Sequence, residues 1–325
     1  MRIAGLFDLQ VNGFAGVDFN STAITPDALD HALDAMARTG VEYCLPTVIT
    51  APEGLLGDRL AALDRAVATS RLGPEMVPGY HLEGPFLSPE EGYAGCHPPA
   101  AMVAPDRGLV ERVEAGLSRP ILLLTLAPER PEAAALIAWA RARGKVVALG
   151  HTAASFADIT AAVEAGATLS THLGNGLRRM LPKFDNPMIA QLAEDRLWAS
   201  FIADGTHIPP SALKVLLRAK GLERSILVTD ATAAAAAPAG SYELAGMAIE
   251  RAADGAVRLP GSVTLAGSSL TLDQAVRNLV DWGVASTEAA IRMASDNPVA
   301  LMAPALARLP PLPPCGRGRF AKRIG

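Results

Sequence analysis

Short apolar segments alternate with longer amphipathic segments through most of the chain. Each apolar segment has the length of one buried strand. The longer segments begin with a polar residue or proline and end on glycine, which predicts helices; one runs from Thr25 and Pro26 to Gly40. The predicted strands are GLFDLQV, VEYCLPTVI, MVPGYHLEG, ILLLTLAP, KVVALGHT, ATLSTHLG, LWASFIADG and SILVTDA.

Eight strands alternating with helices are the number expected of a (β/α)8 TIM-type barrel. A doubly wound sheet is the alternative, but it seldom uses so many consecutive β/α units. It also gives no reason for polar residues at the ends of so many different strands. We therefore predict an α/β fold with a (β/α)8 barrel over residues 1–303.

The pattern changes after the eighth strand. Residues 241–260 are predicted to form a short β excursion that contains an Asp-Gly turn. Two closing helices follow, in GSSLTLDQAVRNLVDWG and STEAAIRMASDNPVALM. Residues 304–325 are rich in proline and basic, and we expect them to be extended or disordered.

Composition narrows the class of protein. Half of the 325 residues are hydrophobic and 19% are charged, which is typical of a globular protein. A net charge of −4 without a basic cluster argues against a nucleic-acid partner. The chain contains no apolar run of membrane-spanning length and no signal-peptide pattern, so we expect no membrane partner and a cytoplasmic location. The scattered Cys44, Cys96 and Cys315 predict neither disulfides nor a thiolate zinc site.

Polar side chains concentrate at the predicted strand ends. Only His31 of the six histidines falls in a predicted helix, where a solvated surface role is expected. Because the carboxyl ends of barrel strands open on one face, side chains at these ends are expected to meet there. The other histidines are His81, His97, His151, His172 and His207, and the further polar residues are Gln10, Asn12, Glu83, Asn175, Asp204 and Asp230.

Imidazole and carboxylate ligands from several strands suit Zn²⁺ or a similar divalent ion. A single strand-end histidine is also compatible with a structural role, but Glu83, His151 and His172 recur at the same level. Asp230 is either a structural acceptor or a general acid and base. His81 and Glu83 share one face of a strand, so we expect Glu83 at the open end and His81 one layer deeper, in a supporting role.

Ten stretches in a fixed order resemble the N-acetylglucosamine-6-phosphate deacetylase family of the amidohydrolase superfamily. They run from residue 8 to about residue 298, nearly the whole chain, and any one of them alone would be much less specific. The stretches are DLQVNGFAGVDFN, LPTVIT, HLEGPF, LAPE, GHTAAS, THLGNG, IADGTH, LVTDAT, LAGSSLTLDQAVRNLV and ASDNP.

The resemblance implies that Glu83, His151 and His172 bind one divalent metal ion and that Asp230 is catalytic. Zn²⁺ is expected, with Fe²⁺, Mn²⁺ and Co²⁺ as alternatives. Many amidohydrolases hold a second metal through an HxH pair in the first strand. Here Gln10 stands where a histidine would be needed, and an amide oxygen binds zinc more weakly than imidazole. We therefore expect one metal, with Gln10 as a possible remnant of a second site.

The resemblance also implies substrate contacts from several loops. Relatives usually have THLFNAM or THLYNAM, followed by an arginine that reaches a neighbouring subunit's phosphate. This chain has Gly174 in place of the aromatic residue, and Arg178, Arg179 or Lys183 are candidates for the positive charge. The preference for a 6-phosphate therefore stays open. The implied contacts are Cys96, His97, Asn175, Gly176, Asp204, Gly205, Thr206, His207, Leu265, Ala266 and Gly267.

Relatives build a small β-sandwich from both ends of the chain, and we expect this domain to be largely missing here. The apolar surface exposed by its loss would favour self-association, for which a homodimer is the expected form.

The expected reaction is the deacetylation of an N-acetylated amino sugar. N-acetylglucosamine 6-phosphate would give glucosamine 6-phosphate and acetate, with metal-activated water and Asp230 as base and acid. One alternative is an amidohydrolase that acts on another N-acyl sugar or a cyclic amide. The other is a vestigial, non-catalytic sugar-binding barrel, against which the intact set of Glu83, His151, His172 and Asp230 argues.

Overall fold

A computed structural model describes residues 5–309 and contains a parallel eight-stranded sheet. The strands, in chain order, are β1 (Leu6–Val11), β2 (Gly13–Phe14), β3 (Val17–Asp18), β4 (Val41–Ile49), β5 (Tyr80–Glu83), β6 (Ile121–Leu126), β7 (Val146–Leu149), β8 (Leu169–Ser170), β9 (Trp198–Ile202), β10 (Ser225–Val228), β11 (Gly240–Leu244), β12 (Met247–Arg251) and β13 (Val257–Arg258). The strand order in the eight-stranded sheet is β1-β4-β5-β6-β7-β8-β9-β10, which confirms the predicted (β/α)8 barrel.

The barrel is nearly closed by contacts between the C-terminal end of β1, together with the residue after it, and the residues that follow β10. The backbone N–H of Asp230 donates to the Gln10 carbonyl at 2.9 Å, and that of Asn12 donates to the Ala231 carbonyl at 2.7 Å. Val11 and Ala231 form a parallel bridge beside them. This closure brings the side chains that follow the first and the eighth barrel strands together.

The helices pack their apolar faces around the barrel. They are α1 (Pro26–Arg38), α2 (Glu53–Thr69), α3 (Gly73–Met76), α4 (Arg107–Glu114), α5 (Ala133–Ala142), α6 (Phe156–Ala165), α7 (Pro187–Ala193), α8 (Pro210–Lys220), α9 (Leu272–Asp281), α10 (Thr287–Ala294) and α11 (Asp296–Leu306). Side-chain caps begin several of them: the Thr25 hydroxyl accepts the Ala28 N–H, and Ser155 with Asp158 forms a capping box. No helix within residues 5–309 is long and apolar enough to cross a bilayer.

The C-terminal part differs from the predicted pair of closing helices. The segment STEAAIRMASDNPVALM was expected to be one helix, but it forms α10 and α11, which are separated at Ser295. The backbone of Ser295 is non-helical, with φ −132° and ψ −78°, and Pro298 lies in the first turn of α11, where a missing N–H is tolerated. Helix α11 also continues past the expected boundary at residue 303. Residues 310–325, most of the predicted tail, lie outside the described residues.

A small antiparallel sheet of β11, β12 and β13 lies in the region predicted as a β excursion. It has its own apolar cluster, which also takes in Ile49 at the end of β4 and Ala266 in a later loop. The sheet therefore anchors the loop that carries Leu265 and Gly267 near the mouth of the barrel.

Candidate metal centre and active site

Glu83 is the centre of a buried cluster at the carboxyl end of the barrel. It is the last residue of β5, whereas His151 and His172 follow β7 and β8, and His97 comes from the loop after β5. The Glu83 Oε1 lies 2.9 Å from His172 Nε2 and 3.4 Å from His151 Nε2. The Glu83 Oε2 lies 3.7 Å from His97 Nε2. All four side chains are at most 6% exposed.

Three residues at strand ends have strained backbones. His151, His172 and Asp230 have positive φ values of 50°, 30° and 48°. Non-glycine residues in this region cost on the order of 1–3 kcal/mol each, and such strain clusters at functional sites.

The donor atoms fit a divalent cation. Ligand atoms of Glu83, His97 and His151 all lie within 4.8 Å of one another, a spacing that a single ion can bridge. His172 joins the same carboxylate, and its Nδ1 is a buried atom without a hydrogen-bond partner among the described residues. One carboxylate and up to three imidazoles form a donor set that Zn²⁺ and similar ions accept.

Neighbouring groups orient two of the imidazoles. His151 Nδ1 donates to the Tyr93 carbonyl at 2.8 Å, which leaves the Nε2 lone pair facing Glu83. The Thr50 hydroxyl donates to the Glu83 carbonyl, so it accepts the N–H of His97 Nδ1 at 2.9 Å. Metal-binding histidines commonly use their second nitrogen in this way. Both rings therefore present a lone pair to the cluster.

Burial and the charge of Glu83 set the protonation states of the cluster. Burial alone would raise the pKa of Glu83, but the neighbouring His151 and His172 hold it well below its usual range. Burial lowers the pKa of His97 to about 3, helped by the neighbouring His151. Burial would also lower the pKa of His172, yet the hydrogen bond and charge of Glu83 raise it. An ionised Glu83 and a neutral His97 are in the forms that bind metal, whereas His172 would have to release the proton that Glu83 stabilises before it could ligate an ion.

Asp230 lies beside this cluster and is held by two amides. Its Oδ1 accepts the Nδ2–H of Asn12 at 2.7 Å and the Nε2–H of Gln10 at 3.2 Å. Burial and the charge of Glu83 raise the pKa of Asp230 to about 6. The side-chain amide nitrogen of Gln10 therefore faces Asp230.

His81 lies one layer below the cluster, in a chain of hydroxyl groups. Its Nε2 is 2.8 Å from Thr125 Oγ1, and its Nδ1 is 3.2 Å from Thr47 Oγ1. Thr125 is in turn 2.8 Å from the hydroxyl of Thr171, the neighbour of His172. Burial lowers the pKa of His81 to about 4, so the ring is neutral at pH 7. His81 supports the strand ends from below.

A cavity of about 660 Å³ opens over the cluster. Glu83, His97, His151, His172 and Asp230 line its floor. The lining also includes six of the sequence-predicted substrate contacts: Cys96, Asn175, Gly176, His207, Leu265 and Gly267.

The remaining predicted contacts, Asp204, Gly205, Thr206 and Ala266, are not among the described residues that line the cavity. Asp204 instead holds His207 in place. Its Oδ2 lies 2.6 Å from His207 Nδ1, and its Oδ1 accepts the backbone N–H groups of Thr206 and His207 at 2.8 Å. Asp204 therefore acts on the cavity through His207.

Two glycines permit close approach in the cavity wall. A Cβ atom at Gly176 would lie 2.6 Å from His151 Nδ1, and one at Gly267 would lie 2.8 Å from the Asp230 carbonyl oxygen. Both residues also have positive φ values near 60°. A side chain at either position would push directly against a residue of the site.

The structure separates the three candidate cations. Arg179 lines the cavity. Arg178 is engaged elsewhere, with its guanidinium 2.8 Å from both the Glu90 carboxylate and the Glu91 carbonyl. Lys183 is exposed and is not part of the lining. The sequence alone did not distinguish between these three cations. It also indicated no specific role for Asn12, which follows Gln10 by two residues.

The chain is similar to known deacetylases over most of its length, although no family model matches it. It is 36% identical over 297 residues to an N-acetylgalactosamine-6-phosphate deacetylase of Escherichia coli O157:H7, covering 91% of this chain and 76% of the relative. It is 32% identical over 299 residues to an N-acetylglucosamine-6-phosphate deacetylase of Lysinibacillus sphaericus, covering 91% and 74%.

Solved structures agree with these relatives. The N-acetyl-D-glucosamine-6-phosphate deacetylase of Mycobacterium smegmatis, a mutant in complex with N-acetyl-D-glucosamine-6-phosphate, has a TM-score of 0.84 at 32% identity, covering 92% of this chain and 77% of that chain. The enzyme of Pasteurella multocida has a TM-score of 0.82 at 28% identity, covering 93% and 76%. The chain therefore belongs to the N-acetylglucosamine-6-phosphate deacetylase family of amidohydrolases, as the resemblance in its sequence indicated.

Proposed function

We propose that this chain is a metal-dependent deacetylase of N-acetylated amino-sugar phosphates and that its main substrate is N-acetylglucosamine 6-phosphate. The observation that carries this proposal is the placement of Asp230 beside the buried Glu83 and histidine cluster in a single cavity. Hydrolysis of an amide by water needs a general base next to a group of ligands that can hold a divalent ion, and this is the arrangement found here.

Glu83, His151 and His172 are the proposed metal ligands, and His97 is the proposed group beside the substrate carbonyl. A bound divalent ion, which we propose is Zn²⁺, would lower the pKa of water and polarise the acetamide carbonyl. The ligand atoms of His97, Glu83 and His151 lie within 4.8 Å of one another. The alternative is therefore that His97 also binds the metal, as a third imidazole ligand.

Asp230 moves the proton in the proposed reaction. Its Oδ1 already accepts two amide N–H groups, so Oδ2 is the atom available to take a proton from the attacking water. The same oxygen then returns the proton to the sugar nitrogen, because an amine is too basic to leave as an anion. The products are acetate and the free amino sugar.

The phosphate end of the substrate is proposed to lie near His207 and Arg179. Both side chains line the cavity, and Asp204 fixes the orientation of the His207 ring. Because Arg178 is paired with Glu90, Arg179 is the arginine of this loop that faces the cavity. A guanidinium group binds phosphate through two parallel N–H bonds.

Gly174 supports a second candidate, an amidohydrolase acting on another N-acyl sugar or a cyclic amide. The φ of Gly174 is 102°, and a Cβ atom added at this position would lie 3.3 Å from Ile208 Cδ1. An aromatic residue at this position would have an unfavourable backbone conformation, and its Cβ atom would be in tight contact with Ile208. This wall of the cavity is therefore shaped differently from that of relatives with THLFNAM.

We further propose a homodimer and a cytoplasmic site of action. Met180 and Phe184, in the loop that carries Arg179, are 86% and 78% exposed, and such apolar side chains favour contact with a partner surface. A sugar phosphate is charged, and a bilayer excludes charged groups. The enzyme must therefore share a compartment with its substrate, and we propose that this compartment is the cytoplasm.

The test is to measure bound metal and acetate release with four substrates. These are N-acetylglucosamine and N-acetylgalactosamine, each with and without the 6-phosphate. Bound metal with turnover of the phosphorylated sugars supports the proposal. Turnover that is independent of the phosphate would favour the second candidate, and a metal-free, inactive protein would overturn both.

A further inference from the structure

Asn12 has a buried side-chain oxygen without a partner in the wall of the active-site cavity. The side chain lies in the link between β1 and β2 and is 2% exposed. Its Nδ2 donates to Asp230 Oδ1 at 2.7 Å, but its Oδ1 has no hydrogen-bond partner among residues 5–309. A buried acceptor without a donor is rare in a folded protein and costs stability.

The backbone holds this side chain in one place. The Asn12 N–H donates to the Ala231 carbonyl at 2.7 Å, and the Asn12 carbonyl accepts the Phe19 N–H at 2.9 Å. The orientation of the amide is fixed as well, because a carboxylate oxygen accepts hydrogen bonds and so faces the nitrogen. Asn12 Oδ1 is therefore a preset acceptor beside Asp230.

We propose that Asn12 is a substrate-binding residue whose Oδ1 accepts the N–H of the scissile amide. The inference rests on the proposed deacetylase function, in which Asp230 Oδ2 reaches the same nitrogen. The Asn12 amide is bonded to the other oxygen of that carboxylate, and Asn12 lines the cavity in which the substrate is proposed to bind. The acetyl methyl and carbonyl groups have no donor to offer, whereas the amide nitrogen has one.

This contact strengthens as the reaction proceeds. When Asp230 gives its proton to the nitrogen, the N–H groups on that nitrogen become more positive and better donors. An acceptor placed there stabilises the transition state more than the bound substrate, which raises kcat. Asn12 thus orients Asp230 through Nδ2 and holds the leaving nitrogen through Oδ1.

The test compares the amide substrate with an ester analogue in which oxygen replaces the N–H. For Asn12→Ala, we expect kcat/KM to fall about 5- to 10-fold further for the amide than for the ester, since only the amide loses a hydrogen bond. Gln10→Ala is the matched control, because Gln10 also donates to Asp230 Oδ1 but does not line the cavity. It should slow both substrates equally.

Asn12→Asp keeps an acceptor and removes the amide donor, so it should slow both substrates while leaving the amide-to-ester ratio near that of the wild type. Thermal unfolding and metal content establish that each variant is folded and loaded. An equal loss on amide and ester for Asn12→Ala would overturn the inference, and would mean that Asn12 acts only through Asp230 or contacts a sugar hydroxyl.

A binding measurement serves as the second readout. Glucosamine 6-phosphate carries an amine that 2-deoxyglucose 6-phosphate lacks, and calorimetry gives the ratio of their Kd values. Asn12→Ala should reduce the preference for the amine about 5- to 10-fold, and an unchanged ratio would contradict the contact. Failure of the wild type to hydrolyse or bind any of these sugars would instead count against the proposed function itself.

Discussion

At the scale of single residues, Asp230 is the side chain on which the proposed chemistry depends. Asp230→Asn keeps an oxygen that can accept the N–H groups of Asn12 and Gln10, so we expect the fold and the metal content to be preserved. The amide cannot take a proton from water, and general acid–base catalysis contributes about 10²- to 10⁴-fold. Steady-state acetate release should fall by that factor, and turnover near the wild-type rate would refute the role of Asp230.

A second carboxyl group, Asp8, makes stability depend on pH. It is fully buried in β1 and accepts the Thr229 hydroxyl at 2.6 Å and the Thr229 N–H at 3.2 Å. Burial outweighs these bonds and raises the pKa of Asp8 to about 7. The folded protein therefore keeps a proton that the unfolded chain releases near pH 4, so Asp8 costs stability increasingly as pH rises from about 4 to about 7.

Replacing Asp8 by asparagine removes this dependence. The free energy of unfolding of Asp8→Asn minus that of the wild type should rise by up to about 4 kcal/mol between pH 4 and pH 8, and then level off. Urea unfolding at a series of pH values measures it. Asp58→Asn, at an exposed position of α2, should show no such trend. A difference that stays flat for Asp8→Asn would mean that Asp8 is ionised in the fold.

Residues at strand ends were the predictable part of the site. Glu83, His151, His172 and Asp230 follow apolar strands, and barrel topology alone brings such residues to one face. The roles proposed for Asn12 and Arg179 were not predictable in this way. They depend on contacts with residues far away in the sequence, such as the pairing of Arg178 with Glu90, which leaves Arg179 facing the cavity.

At the scale of elements, the loop between β8 and α7 presents the cation proposed to bind phosphate. Arg179→Ala should raise KM for N-acetylglucosamine 6-phosphate about 10- to 100-fold, since a hydrogen bond to a charged group is worth about 1.5–3 kcal/mol. The constants for the unphosphorylated sugar should change little. Steady-state kinetics on both sugars measure the difference.

Lys183→Ala is the matched control for this loop, because Lys183 is a cation on the same segment that does not line the cavity. It should leave KM for the phosphorylated sugar unchanged. An equal effect of the two variants would show that the loop acts through its overall charge rather than through a contact of Arg179.

Elements were predictable where burial imposes a pattern. Strands of a parallel barrel are buried on both faces, so most of them appear in the sequence as largely apolar segments, such as ILLLTL in β6 and VVAL in β7. Lengths were less predictable: β8 has only two residues, because the chain turns into the site at Thr171 and His172. The break between α10 and α11 was missed, because the helical pattern of apolar residues continues across the non-helical Ser295.

At the scale of the whole molecule, the proposed metal centre connects distant parts of the chain. Glu83, His151 and His172 follow three different strands of the barrel, so the unfolded chain does not hold them together. An ion that binds only the folded protein stabilises it by about 4 kcal/mol at a concentration 1,000 times its Kd. Metal removal should therefore lower the stability of the entire barrel.

We expect dialysis against a chelator to lower Tm by several degrees and added Zn²⁺ to restore it, as followed by calorimetry. His151→Ala and His172→Ala should abolish the metal-dependent shift, because each removes a proposed ligand. His97→Ala should keep the shift and lose activity; loss of the shift would instead make His97 the third imidazole ligand, as its 4.8 Å spacing allows. His31→Ala, at an exposed position of α1, should behave like the wild type.

A wild-type Tm that does not respond to either chelator or Zn²⁺ would rule out the metal centre, because no ion that bridges these strands can leave the barrel without changing its stability.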